Sequence, residues 1–149
     1  MYTRIFLCLG IVFFACSHRT ESSSELGAES AGDYKITLSS GGGFTGLYSG
    51  YHLYGDGRIE AWQQPLGKGD SLLWQRSVEA ALVERLHGQL LRSGALAKRY
   101  DTAGNMTAII AYETADTTYR WTWNQSGLAP AELAAWHKEA RAFCVENAP

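Results

Sequence analysis

Residues 34–62 read YKITLSSGGGFTGLYSGYHLYGDGRIEAW, and the architecture follows from this stretch. Tyr34, Ile36 and Leu38 alternate with Lys35, Thr37 and Ser39, the two-residue period of a half-buried strand. Glycines at 41, 42, 43 and 46 then break the alternation around Phe44 and Thr45. Tyr51 and Leu53, alternating with His52 and Tyr54, begin a second strand. Gly55-Asp56-Gly57 is a tight-turn signal, since glycine takes positive φ without steric cost, and Arg58-Ile59-Glu60-Ala61-Trp62 resumes as a third strand. Connections this short cannot carry a parallel crossover, so the three strands form an antiparallel meander.

Working outward, residues 65–70 contain Pro65, Gly67 and Gly69 and read as a loop. From 77 to 93, Val78, Leu82, Leu86 and Leu90 fall four apart, with Ala81 and Leu91 widening the stripe, which predicts an amphipathic helix. Ser77 is placed to cap its free amides, and Gly94 to end it in the left-handed conformation. Ala108, Ile110 and Tyr112 alternate with Thr107, Ile109 and Ala111. After a turn at Ala115-Asp116, Tyr119, Trp121 and Trp123 alternate with Thr118, Arg120 and Thr122, which completes a second hairpin. Pro130 suits a first helical turn, and Leu133, Trp136, Ala140, Phe143 and Cys144 form one stripe of a helix over about 130–145. The expected order is βββαββα. One apolar face per strand and one stripe per helix give an α+β domain: an antiparallel sheet of about 4–5 strands with both helices on one face.

The N-terminus has a different character. Arg4, an apolar run over residues 5–14 and Ala15 precede Cys16 in the layout of an export signal, with an apolar run too short to span a bilayer. Phe13-Phe14-Ala15-Cys16 resembles a bacterial lipobox, with Phe where Leu is usual. The resemblance implies cleavage before Cys16 and a lipid on that cysteine. Residues 17–32 hold five serines, three glutamates, two glycines and no aromatic residue, too little apolar surface to fold. The expected organisation is a signal peptide at 1–15, a flexible tether at 16–32 and a single domain at 33–149. The expected address is export, with lipid anchoring to the cell envelope.

The formal charge is -2, and removing residues 1–15 takes away Arg4 and no acid, giving -3. An acidic body of pI near 6.1 offers no electropositive surface to a phosphate backbone, so nucleic acid is not an expected partner. The three cysteines form no C-x-x-C pair and are too few for a disulfide framework.

No residue set supplies an enzyme. His52, His87 and His137 fall on different expected elements without metal-ligand spacing, so no metal or cofactor is expected. The glycines at 41–46 lack the Lys-Ser/Thr and following helix of a phosphate loop, and no nucleophile elbow occurs. Cys144, on a helix stripe, reads as a small buried hydrophobe.

The expected binding element is the glycine-rich segment. Gly42, Gly43 and Gly46 allow the loop conformations closed to other residues, with Phe44 and Thr45 between them. Two readings of Phe44 stand: an exposed anchor for a partner's pocket, or a cap folded back on the core. Trp62 is a further candidate, since Ile59 and Ala61 turn it away from the helices. Trp74, Trp121 and Trp123 with Tyr48, Tyr51, Tyr54 and Tyr119 read first as sheet packing and secondarily as a glycan-stacking surface.

The segment Ile36-Thr37-Leu38-Ser39-Ser40-Gly41-Gly42-Gly43-Phe44-Thr45-Gly46-Leu47, followed by a strand, a helix, a hairpin and a final helix, resembles the emfourin family. Those are small bacterial inhibitors of thermolysin-like zinc metalloproteases. The resemblance covers about residues 34–143; its sequence motif is confined to the glycine-phenylalanine segment. The export signal and the loop at 65–70 depart from it. The resemblance implies a protein-binding module inhibitory toward a metalloprotease; taken with the export signal, the expected target is a secreted or envelope protease. The alternatives are an envelope-assembly lipoprotein without inhibitory activity and a glycan-binding domain.

Overall fold

The computed structural model describes residues 32–127 and 130–149. Its strands are β1 (Lys35–Gly42), β2 (Leu47–Tyr54), β3 (Arg58–Gln64), β4 (Ser71–Ser77), β5 (Asp101–Thr102), β6 (Met106–Glu113) and β7 (Thr118–Asn124). Its helices are α1 (Ala80–Arg92) and α2 (Ala131–Glu146), with a 3-10 turn at Ala95–Ala97. The class is α+β, but the sheet is larger than expected: seven strands in the order β4-β3-β2-β1-β6-β7-β5. Every pair is antiparallel except β5 with β7, so the sheet is mixed rather than purely antiparallel.

Two strands escaped the sequence reading, for physical reasons. In β4, Ser71-Leu72-Leu73-Trp74-Gln75-Arg76-Ser77 lies at the sheet edge with no fully buried residue, so no alternation is selected. It is bonded to β3, with Arg58 opposite Ser77, and its register shifts at Ala61/Trp62. Ser77 is thus committed to the sheet and does not cap α1, whose N-cap is Glu79 without a side-chain cap bond. The second missed strand, β5, is two residues long, below any periodic signal. Gly94 does follow α1 with φ 73°, as an αL terminator should.

The core lies between the sheet and both helices. Ile36, Leu38, Leu53, Ile59, Ile110 and Trp121 face α1 and α2 from five strands, β1, β2, β3, β6 and β7. The five residues expected to bury from α2, Leu133, Trp136, Ala140, Phe143 and Cys144, do so. The buried stripe of α1 is Val83, Leu86, His87 and Leu90, rotated from the one anticipated: Ala81 is exposed and Leu82 only partly covered. His87 is tolerated there because Nε2 lies 3.1 Å from the Tyr112 hydroxyl and the ring stacks on Tyr34 at 3.9 Å. Trp136 Nε1 donates to the Leu86 carbonyl at 2.8 Å, which ties the helices together while satisfying a buried donor.

Gly50, opposite Ser39, marks a close strand crossing: a Cβ there would stand 1.9 Å from the Leu38 carbonyl oxygen. The other face of the sheet, formed by alternate residues such as Thr37, His52 and Ala111, carries no helix among the described residues. Its middle is nevertheless covered, with Ser39, Thr107, Ile109 and Ala111 all buried.

Candidate functional site

The β1–β2 connection is a turn at Gly43-Phe44-Thr45-Gly46, closed by the Gly46 amide donating to the Gly43 carbonyl at 3.2 Å. Gly42, Gly43 and Gly46 take φ of 110°, 67° and 58°, the region where a side chain is strained. Space restricts Gly42 as well: a Cβ would meet the Asn105 carbonyl oxygen at 2.5 Å. Gly43 also donates to Asn105, which joins the turn to the segment entering β6. The Thr45 hydroxyl accepts from the Leu47 amide at 3.4 Å. The turn is therefore held from both sides, and the one large side chain in it, Phe44, is fully exposed at 105% of its reference area. Of the two readings open at the sequence level, the fold-back over the core is the one the geometry discards.

Leu47, the last residue of the glycine-phenylalanine motif, and two residues that the sequence reading did not single out lie at the same end of the sheet as Phe44. Leu47 begins β2, Met106 lies opposite Gly42, and Leu66, 75% exposed, reaches Gly46 from the 65–70 loop. Their contacts with the turn glycines are close: Cβ positions on Gly43 and Gly46 would stand 3.4 Å from Met106 Sδ and 2.9 Å from Leu66 Cδ1. Four apolar side chains thus share one end of the sheet. The signal for Leu66 was present as an apolar residue inside a Pro/Gly loop; Met106 depends on the β1–β6 register, which spans more than sixty residues of chain.

Trp62 is placed otherwise. It faces away from the helices as expected, but it is only 7% exposed and lies flat on His52, with ring centroids 5.3 Å apart and 16° between planes. Its Nε1 is buried without a partner. Thr37 Oγ1 lies 3.0 Å from His52 Nδ1. Burial, then the nearby Lys35 charge, hold the His52 pKa below its ordinary value. Around these rings a cleft of about 380 Å³ opens on the helix-free face, bordered by Lys35, Asp70, Glu113 and Arg120. Lys35 and Glu113 neutralise each other at 2.9 Å. The glycine-rich turn and Trp62 are thus on different surfaces, the end and the open face of the sheet.

The remaining aromatic candidates divide similarly. Trp121 and Trp123 belong to the core, and Trp121 Nε1 donates to the Ala95 and Lys98 carbonyls at 3.1 and 3.2 Å. Tyr51 and Trp74 pack together against the core at 5.9 Å, and Tyr54 carries Arg58 over its ring. These rings bury faces that a sugar would have to stack on. Cys144 is buried, and burial pushes its thiol up to about 12, so it is un-ionised and unreactive at neutral pH. Among the described residues no three His, Cys, Asp or Glu side chains come together as a metal site. Cys16 and the proposed signal and tether up to residue 31 lie outside the described residues. No protein-family model matches the chain, and no curated protein matches it at a significant level.

Proposed function

We propose that the protein is a binding module rather than an enzyme, that it docks a protein partner through the apolar end of the sheet around Phe44, and that it acts as an inhibitor of a secreted or envelope metalloprotease. The observation that carries this reading is the full exposure of Phe44 on a turn whose conformation positive-φ glycines permit and whose ends the Gly46–Gly43 and Gly43–Asn105 hydrogen bonds hold. Because these hydrogen bonds already organise the turn, less ordering is left to accompany binding, which keeps its entropy cost small. Leu47, Leu66 and Met106 are exposed apolar side chains at the same end of the sheet and enlarge the apolar surface a partner would cover there. The similarity of residues 36–47 to the emfourin motif supports protease inhibition specifically.

Export and a lipid on Cys16 complete the proposal, resting on the N-terminal residue pattern. The described chain starts at Gly32 beside Tyr34 and Gly55, whereas Phe44 lies beyond the opposite end of β1. Eight residues of strand separate the two ends by about 25 Å. A chain anchored through its N-terminal side would therefore present Phe44 at the end remote from the attachment.

The test is titration of a thermolysin-like zinc protease with the purified protein, alongside photo-crosslinking from position 44 in envelope extracts. Dose-dependent inhibition with a crosslink to the protease supports the inhibitor reading. A crosslink to an envelope protein without inhibition of any such protease favours the assembly alternative.

A further inference from the structure

A second surface adjoins the Phe44 end, on the helix side of the sheet. Ser40 of β1, Ala108 of β6 and Trp123 of β7 lie in one row across the sheet, since Ser40 pairs with Ala108 and Ala108 with Trp123. That row is two residues, about 7 Å, from the Gly42–Met106 pair under the turn. Above it α2 contributes His137, Lys138 and Arg141, which border an open surface pocket of about 520 Å³ together with Gln125. The described residues lining it include two permanent cations and no carboxylate.

The cations are unusual in their own helix. Residues three and four positions from Lys138 are Ala134, Ala135, Arg141 and Ala142, and those from Arg141 are His137, Lys138, Cys144 and Val145. Neither cation has a helical carboxylate neighbour, and each is the other's like-charged neighbour at i,i+3, a mildly destabilising arrangement. Ion pairs among the described residues involve Lys35, Arg58 and Lys98, not Lys138 or Arg141. Arg141 is nevertheless oriented: it donates to Ser40 Oγ at 3.1 Å and its guanidinium lies 5.8 Å from the Tyr51 ring centroid. A protein with more acids than bases overall thus leaves two neighbouring cations unpaired at a pocket mouth, one of them held in place by the sheet.

We propose that this pocket receives a carboxylate of the protein partner that engages Phe44, so that recognition is bipartite: an apolar contact at the turn and an acidic side chain between Lys138 and Arg141. The partner's being a protein rests on the reading of Phe44 given above; the anion site itself rests on the pocket. A guanidinium fork suits a carboxylate, and the net negative charge of the chain disfavours approach to an extended anionic surface such as a membrane.

The experiment titrates the isotopically labelled full chain at low salt with N-acetylglutamate α-amide, following the Arg141 Nε–H and Gln125 side-chain amide signals by NMR. The probe carries one carboxylate and no aromatic ring, so it reports the pocket independently of Phe44. The expected result is saturable shifts with an apparent Kd of about 1 mM, weakened about threefold in Lys138→Ala and further by added salt. The neutral N-acetylglutamine α-amide should give no saturable shift. Equal responses to both probes, no saturation, or an unchanged Kd in Lys138→Ala would overturn the proposal. Tighter binding of inorganic phosphate, or retention on phosphatidylglycerol vesicles that Lys138→Ala abolishes, would also overturn it in favour of a phosphate ligand. If this probe fails while a Phe44 crosslink succeeds, the bipartite model falls and the Phe44 reading stands.

Discussion

His137 makes the stability of the domain depend on pH in a calculable way. The ring packs edge-on against Trp123, with centroids 5.4 Å apart, and its Nε2 is buried without a partner. Burial first, then the charge of Arg141, bring its pKa from 6.5 down to about 4, against a smaller opposing contribution from the Ser39 backbone. The native state therefore resists protonation that the unfolded chain accepts. The associated stability is fully present above pH 6.5 and is lost as pH falls toward 4. A difference of this size corresponds to about 3 kcal/mol, of which about 2.5 kcal/mol is lost on going from pH 7.5 to pH 4.5. Urea unfolding of the wild type and His137→Gln at these two pH values measures it. The wild type should lose about 2.5 kcal/mol more than the variant. His52, also held below its ordinary pKa, and the carboxylates titrate in both proteins and cancel in the difference. Equal losses in the two proteins, or a His137 pKa near 6 by NMR, would refute the reasoning.

Other perturbations test the core, the sheet and the anchor. Leu86→Ala removes a fully buried side chain facing both helices and sheet, and should cost about 2–5 kcal/mol in chemical denaturation. Gly50→Ala places a methyl 1.9 Å from the Leu38 carbonyl oxygen, a clash with backbone that no rotamer relieves, and should lower stability by about 3 kcal/mol or more. If Cys16 carries the anchor, Cys16→Ser abolishes labelling by radioactive fatty acid and leaves the precursor uncut before residue 16; labelling of the Ser variant counts against it.

What could be read from the chain depended on how strongly burial selects residues at each position. The α2 stripe of Leu133, Trp136, Ala140, Phe143 and Cys144 was legible because each is pressed against the sheet. Both hairpins were legible because Ile36, Leu38, Ile110 and Trp121 must all point to one side. In β4, Leu72 and Leu73 are adjacent and both exposed, the pattern of an edge strand with a shifted register rather than of a buried face. In α1 the expected Leu86 and Leu90 are buried, but the stripe is rotated to include Val83 and His87, and His87 counts as polar in sequence although Tyr112 and Tyr34 make it a core residue. At the candidate site, Phe44 and its glycines were legible as local chemistry. Met106 and Leu66 were not, because their proximity depends on pairing and loop placement between segments distant in sequence. Trp62 was assigned to the correct face, yet His52 and the sheet bury the ring that was expected to be available.

Phe44→Ala, measured twice on the same preparation, tests the central claim most directly. An exposed ring contributes little to the folded state, so the urea midpoint should be that of the wild type within about 0.5 kcal/mol. As the anchor of the partner contact, its loss should weaken inhibition of a thermolysin-like protease by about 2 kcal/mol or more, roughly thirtyfold in the inhibition constant. Unchanged inhibition by Phe44→Ala, a loss of 3 kcal/mol or more in stability, or no inhibition by the wild type at any concentration would contradict the account.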